Sequence, residues 1–190
     1  MEVYDAILSR RSIRRFTQQP VSRNTLEKLV NAARLAPSAA NLQPMEYVIV
    51  DDKKICAQLF ETIGWAAYLK PSWSPIKEER PTAYIILLIR NKKNNYALRD
   101  VSLAAAHIVL TAEEEQLGSC ILCKIDKEKI KDILGIPDGM MVDSMIALGY
   151  KAEHPVIEEL TDSVKYWRDG NEILHVPKRN LKDILHINTY

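Results

Sequence analysis

The stretch VSLAAAHIVL, residues 101–110, is apolar on nearly every side of a helix and lies within the longest helical pattern of the chain, 97–117. A helix without a broad polar face belongs in the middle of a protein, covered on several sides. Just before it, AYIILLI at 83–89 is a continuous apolar run bounded by Pro81 and Asn91, which suits a strand buried on both faces. A buried helix beside a buried strand calls for a sheet with helices packed on it.

The rest of the chain supplies the pieces. Residues 2–9 read as a short amphipathic helix with Val3, Ile7 and Leu8 on one side. A helix over 23–36 follows, capped by Ser22 and stopped by Pro37, with Leu26, Leu29, Val30 and Ala33 at helical spacing. MEYVIV at 45–50 reads as a strand and 52–63 as a helix closed by Gly64. SCILCKI at 119–125 reads as a strand once Gly118 has ended the long helix. A helix over 127–134 capped by Asp126, and a strand around 142–148, complete the order. The class is α+β, helices around one sheet. A chain of 190 residues supports one sizeable core, so a single domain over 1–190 is expected. Residues 151–190 carry little periodicity; such a tail wraps its own domain or lies on a partner subunit.

Charge and cysteine content narrow the function classes. A net charge of +1, from 26 basic and 25 acidic residues, lacks the basic excess of a general nucleic-acid binder. The three cysteines, Cys56, Cys120 and Cys123, are odd in number and make no disulfide framework. With no apolar leader and no run long enough to span a bilayer, a soluble cytoplasmic protein is expected, with no membrane partner. Cys120 and Cys123 form a C-x-x-C, but positions three apart on a strand point to opposite faces, and no second ligand pair matches, so no metal is expected. His107 reads as a hydrogen-bonded core residue, and the acidic run 113–115 as a solvated helix face. No G-x-G-x-x-G, Walker loop or G-x-S-x-G motif is present.

Against that balance stands SRRSIRRF at 9–16. Arg10, Arg11 and Arg14 cannot share a helix face with Arg15, so the segment breaks from the first helix and presents its guanidinia in different directions. Guanidinium forks suit a phosphate, and Ser12 adds a hydroxyl. Taken alone, the cluster also fits a solvated patch or a small phospho-ligand or nucleic-acid module. APSAANLQP at 36–44 links a helix to a strand; Asn41 and Gln43 offer amides suited to a heterocycle's edge, although an ordinary loop has the same composition. Trp65, Tyr68 and Trp73 lie in GWAAYLKPSWSP, as core pegs or as a lid over a flat ligand.

Read together and in order, RRSIRRF, PVSRNTLEKLVNAARLAPSAANLQP and the strand that follows resemble the N-terminal signature of the nitroreductase family of FMN-dependent oxidoreductases. EEEQLGSCILCKID is similar to its central helix and flavin-side strand, LGYKAEHP to its closing strand, and PKRNLKDILHINTY to its C-terminal end. The resemblance implies a mostly antiparallel central sheet surrounded by helices, in an intertwined homodimer with FMN at the subunit interface and the tail from about 151 extended over the partner. It implies that Arg10, Arg11 and Ser12 hold the phosphate and ribityl chain and that Arg14 lies near the pyrimidine edge. It places Pro37, Ser38, Asn41 and Gln43 at the flavin, some from the other subunit, and Leu122 and Cys123 on the strand beside it. Lys178 or Arg179 would add a second cation at the phosphate.

The implied activity is electron transfer from NAD(P)H through FMN to a small planar acceptor, nitroaromatic or quinone, by a ping-pong cycle. The flavin carries that chemistry, so no catalytic side chain is nominated. Three departures from the family pattern stand out. Ile121, Leu122, Cys123 and Lys124 occupy the place of a common glycine, Met45 stands where Trp often follows Q-P, and 150–177 is long. Lys124, with Trp65, Tyr68 and Trp73, would shape the substrate pocket. FMN storage, or a specialised flavin reaction such as dehalogenation or flavin fragmentation, is the alternative on the same fold.

Overall fold

The computed structural model describes residues 1–69, 73–90 and 96–190 and has two compact units, Met1–Gly64 with Pro75–Ala152, and Trp65–Ser74 with Glu153–Tyr190. Lys70, Pro71 and Ser72 of the aromatic segment, and Asn91 after the apolar strand, lie outside the described residues.

Among the described residues the larger unit contains five α-helices, α1 (Val3–Ser9), α2 (Arg23–Arg34), α3 (Lys53–Phe60), α4 (Ala97–Glu114) and α5 (Lys127–Leu134), and four strands, β1 (Met45–Val50), β2 (Ala83–Arg90), β3 (Leu117–Leu122) and β4 (Met140–Tyr150). The strands form one antiparallel sheet in the order β1-β2-β4-β3, with Met45 opposite Ile89 and Val50 opposite Tyr84. The α+β class, with helices on one sheet, is the one the pattern predicts, and the antiparallel pairing is the one the resemblance implies. Alternate residues of β2, Ala83, Ile85, Leu87 and Ile89, face a core shared with Leu26 and Leu29 of α2 and Val101, Ala104 and Ile108 of α4, which covers α4 on several sides.

The helix starts follow from capping side chains. Ser22 accepts from the Thr25 N–H, Asp52 from those of Lys54 and Ile55, and Asp126 from that of Lys129. The ends differ from expectation. The long helix stops at Glu114, and the left-handed residue is Gln116 (φ 61°), so Gly118 lies within β3 instead of closing the helix. Helix α3 stops at Phe60, before Gly64. Glu113 is not on a solvated face: it is 4% exposed and accepts from Lys151 Nζ at 2.7 Å. His107 is hydrogen-bonded as expected, its Nδ1 meeting the Ala32 carbonyl at 3.0 Å, but it is half-buried and not a core residue.

In the smaller unit, residues 153–190 form strands although they carry little periodicity. Strands β5 (Val156–Glu159), β6 (Trp167–Arg168) and β7 (Leu174–Lys178) form a sheet in the order β5-β7-β6. Polar staples hold it: His175 lies between Glu158 (3.1 Å) and Asp169 (3.3 Å) and stacks on Trp167, whose indole N–H donates to Glu158 at 2.8 Å. Arg168 and Glu153 make a buried ion pair at 2.6 Å. No helix of the described residues is long and apolar enough to cross a membrane, and no group of potential metal ligands occurs among them.

Candidate functional site

Helix α1 ends at Ser9, and residues 10–16 leave it extended, as the spacing of the arginines required. Ser12 bridges to Ser119 of β3, the Ile13 N–H donates to the Ser119 carbonyl at 2.9 Å, and the Phe16 N–H donates to Glu79 at 3.0 Å. The apolar members are buried pegs, Ile13 at 2% and Phe16 at 0% exposure. Gly118 and Gly149 make room for them: a Cβ on either would lie 2.8 Å and 2.9 Å from Ile13 and Phe16 respectively. Sequence reasoning passed over these two pegs, although apolar residues between arginines were the available sign.

The pegs fix four guanidinia with separate fates. Arg15 pairs with Glu79 at 3.3 Å. Arg11 folds back to donate to the Leu8 and Arg10 carbonyls, covering the C-terminus of α1. Burial, then the neighbouring Arg10 charge, pull its pKa below the ordinary 12.5, while Glu113 acts in the opposite direction. Arg14 has a partner within the protein. Arg10 is half-buried and makes no side-chain hydrogen bond or ion pair among the described residues.

The loop before β1 is held in a strained form. Ala40, Asn41 and Gln43 have φ of 49°, 55° and 46°, positions that cost non-glycine residues free energy unless the surroundings enforce them. Ser38 Oγ accepts from the Gln43 N–H at 3.1 Å, and Asp100 Oδ1 accepts from the Ala39 N–H at 3.0 Å. Asp100 is 3% exposed, and its Oδ2 is buried without a hydrogen-bond partner among the described residues. It lines a cleft of about 140 Å³ with Pro37, Ser38, Gln43 and Tyr47, whose phenol burial pushes up to about 12. Asp100 was missed in the sequence; an acid at the start of an otherwise apolar helix was the signal.

The third element is the end of β3. Leu122 is buried, while Cys123 and Lys124 follow it exposed. The Gly64 N–H donates to the Lys124 carbonyl at 2.8 Å, and the lysine stem crosses Gly64 so closely that a Cβ there would lie 2.5 Å from Lys124 Cδ. Within one chain, then, the arginine segment and the end of β3 come together through Ser119. The loop 37–43 does not join them, because it feeds β1 at the opposite edge of the sheet, three strand spacings or about 14 Å away.

The remaining sequence-derived residues belong to the smaller unit. Trp65 is buried, Tyr68 is exposed with its ring 5.1 Å from that of Tyr166, and the Arg168 guanidinium lies 5.1 Å from the Trp73 ring centre. Arg179 donates to the Asp183 carbonyl at 2.9 Å, whereas the Lys178 ammonium has no partner among the described residues.

The Nitroreductase family matches residues 7–150 of the chain. An NADH dehydrogenase of Thermus thermophilus is 27% identical over 198 aligned positions, covering 88% of this chain and 97% of that protein. An iodotyrosine deiodinase of Thermotoga neapolitana is 26% identical, covering 78% and 88% respectively. Among solved structures, an FMN-dependent nitroreductase from Clostridium difficile R20291 is similar at a TM-score of 0.70 and 25% identity, over 97% of this chain and 98% of that one. A nitroreductase family protein from Clostridium novyi NT is similar at a TM-score of 0.68 and 29% identity, over 80% and 87%.

Proposed function

The chain belongs to the nitroreductase family, and on that premise we propose that it is an FMN-dependent oxidoreductase passing electrons from NAD(P)H to a small planar acceptor of nitroaromatic or quinone type. Bound FMN supplies a carrier that accepts two electrons from the nicotinamide and yields them to an acceptor in a ping-pong cycle. The observation that carries this reading is the Arg10 guanidinium, half-buried and without a side-chain partner among the described residues, on a segment pinned to β3. A dianionic phosphate gives that guanidinium its missing acceptor, with the Ser12 hydroxyl beside it. Arg11, already donating to two carbonyls, contributes charge more than hydrogen bonds. Leu122 and Cys123 bring the backbone of the β3 end to the ring, and Arg14 favours negative charge at its pyrimidine edge.

The separation of the loop 37–43 from the end of β3 favours a homodimer in which the loop of one subunit completes the site of the other. Helix α1 supports it: Val3, Tyr4, Ile7 and Leu8 are all at least half exposed, a face left uncovered by the described residues. Ser38, Asn41 and Gln43 then read the flavin from across the interface, held in place by Asp100.

The test is direct. The purified protein is expected to be yellow, to bleach with NADH or NADPH, and to recolour with a nitroaromatic or a quinone; a colourless protein that FMN cannot load rejects the reading. The similarity to iodotyrosine deiodinase favours reductive dehalogenation as a second reading, scored by halide release from an iodinated phenol under the same reductant.

A further inference from the structure

A second cleft lies on the other face of the sheet and shares no lining residue with the cofactor set. Ala83, Ile85 and Leu87 face the core under α2 and α4, so Tyr84 projects to the opposite side. There it lines an open cleft of about 260 Å³ with Cys56, Ala57 and Phe60 of α3 and Arg80 and Pro81 of the segment leading into β2. Tyr84 pairs with Val50, whereas the cofactor-side loop enters the sheet at Met45 opposite Ile89, five residues or about 17 Å along the strands.

The polar groups of this cleft are mismatched in one direction. Tyr84 is fully buried, and its hydroxyl has no hydrogen-bond partner among the described residues; Arg80 Nε is buried in the same condition. Both are donors. Native proteins rarely leave such groups unpaired, because each has given up water without replacing it. Burial raises the Tyr84 pKa, with nearby Cys56 acting in the same direction and Arg80 opposing, so the phenol keeps its proton at neutral pH. The Cys56 thiol, pushed up to about 12 by burial, stays neutral and offers no anion to Arg80.

The rim is cationic. Lys53 and Lys77 line the cleft and make no ion pair among the described residues. Asp51 is engaged, its Oδ2 accepting from Arg23 Nε at 2.7 Å. Arg80 reaches Glu61 at 3.4 Å and lies 3.7 Å over the Phe60 ring. Ala57, Phe60 and Pro81 give apolar walls beside the donors.

We propose that this cleft binds a small organic monocarboxylate with an apolar body. The carboxylate takes the Tyr84 hydroxyl and the Arg80 Nε–H once the side chains covering them shift, since neither atom is exposed; Lys53 and Lys77 draw it in, and the body lies along Ala57, Phe60 and Pro81. The site is independent of the flavin reading.

The test is calorimetric titration of the full-length protein with benzoate, with and without added FMN, alongside benzyl alcohol and inorganic phosphate. Benzoate is expected to bind one per chain and more tightly than either control, without moving the visible absorption of bound FMN. Tyr84→Phe, which removes one oxygen, is expected to weaken it about tenfold, and Lys53→Ala with Lys77→Ala to weaken it as well. Absence of heat, affinity unchanged in both variants, benzyl alcohol or phosphate binding as tightly, or heat that tracks a flavin spectral shift overturns the proposal. Because titration without FMN scores the cleft by itself, loss of flavin binding leaves the result readable.

Discussion

Ile13 lies against Gly118 so closely that a Cβ built on the glycine would stand 2.8 Å from Ile13 Cγ2 and 2.9 Å from Ile13 Cβ. The contact joins the arginine segment to the strand beside the proposed cofactor, and the atoms in the way are branched, near the backbone and buried. Gly118→Ala is therefore expected to destabilise the protein by about 1–3 kcal/mol through overpacking. Denaturant melts check the loss, and FMN retention should fall with it because Arg10 and Ser12 ride on the displaced segment. Unchanged stability in Gly118→Ala would mean that Ile13 can shift at no cost.

Arg10 and Arg11 should separate on substitution. Arg10 has no side-chain partner to lose among the described residues, so Arg10→Ala is expected to weaken FMN binding by about 10- to 100-fold while leaving the melting temperature of the apoprotein nearly unchanged. Arg11 donates to two carbonyls at the end of α1, so Arg11→Ala should lower apoprotein stability by about 1 kcal/mol and affect FMN less. Fluorescence titration with FMN, paired with apoprotein melts, distinguishes the two. The reverse ranking would move the phosphate to Arg11.

How far these features were legible in the sequence depended on what held each one. The elements β2 and α4 are fixed by burial alone, and apolar pattern reports burial directly. The smaller sheet was illegible because β6 has only two residues and the sheet is tied by His175, Trp167, Glu158 and Asp169 instead of an alternating apolar face. Gly118 looked like a helix stop because a glycine leaves the same mark whether it frees φ or makes room for a neighbour. Arg10 and Arg11 are identical in the sequence; only the fold back onto Leu8 tells them apart. Glu113 was mistaken for surface because its cation, Lys151, is remote in sequence.

Asp100 offers a sharper test of the loop. Its Oδ1 holds the Ala39 N–H at 3.0 Å, while Oδ2 has no hydrogen-bond partner among the described residues. Asp100→Asn keeps the acceptor for the Ala39 N–H, so stability should change little. Asp100→Ala strands a backbone N–H and should cost about 1–3 kcal/mol, with weaker FMN retention as the strained turn relaxes. If alanine and asparagine behave alike in melts, the hydrogen bond to Ala39 is not what holds the loop.

Acid should loosen the smaller unit through Asp169. The Ile173 N–H lowers its pKa below the ordinary 3.8 most strongly, desolvation opposes, and His175 and the Asn171 N–H add to the lowering. A carboxyl whose folded value lies below its unfolded value stabilises the fold fully above about pH 4, and that contribution is lost as pH falls through the folded value. Trp167 stacks on His175 with ring centres 4.3 Å apart, so its fluorescence reports the sheet. Asp169→Asn should flatten the fluorescence change below pH 4, and an identical acid transition in the variant would assign it to other carboxylates.

The last prediction concerns the uncovered apolar face. Leu98 and Leu103 of α4 are 63% and 42% exposed although the helix is apolar nearly all round, and α1 packs against α4 while exposing Val3 at 71% and Tyr4 at 68%. If a second copy covers this face, a charge placed on it must be buried without a partner, a penalty of about 3 kcal/mol or more, equivalent to over a hundredfold in dimer dissociation. Leu103→Asp leaves the monomer fold intact, since the side chain is partly exposed there, but should convert a micromolar dimer to monomer in sedimentation velocity. FMN retention should fall in parallel, because the loop carrying Ser38, Asn41 and Gln43 would no longer reach its partner's site. A variant that stays dimeric places the interface elsewhere, and one that becomes monomeric yet keeps FMN places the whole cofactor site within a single chain.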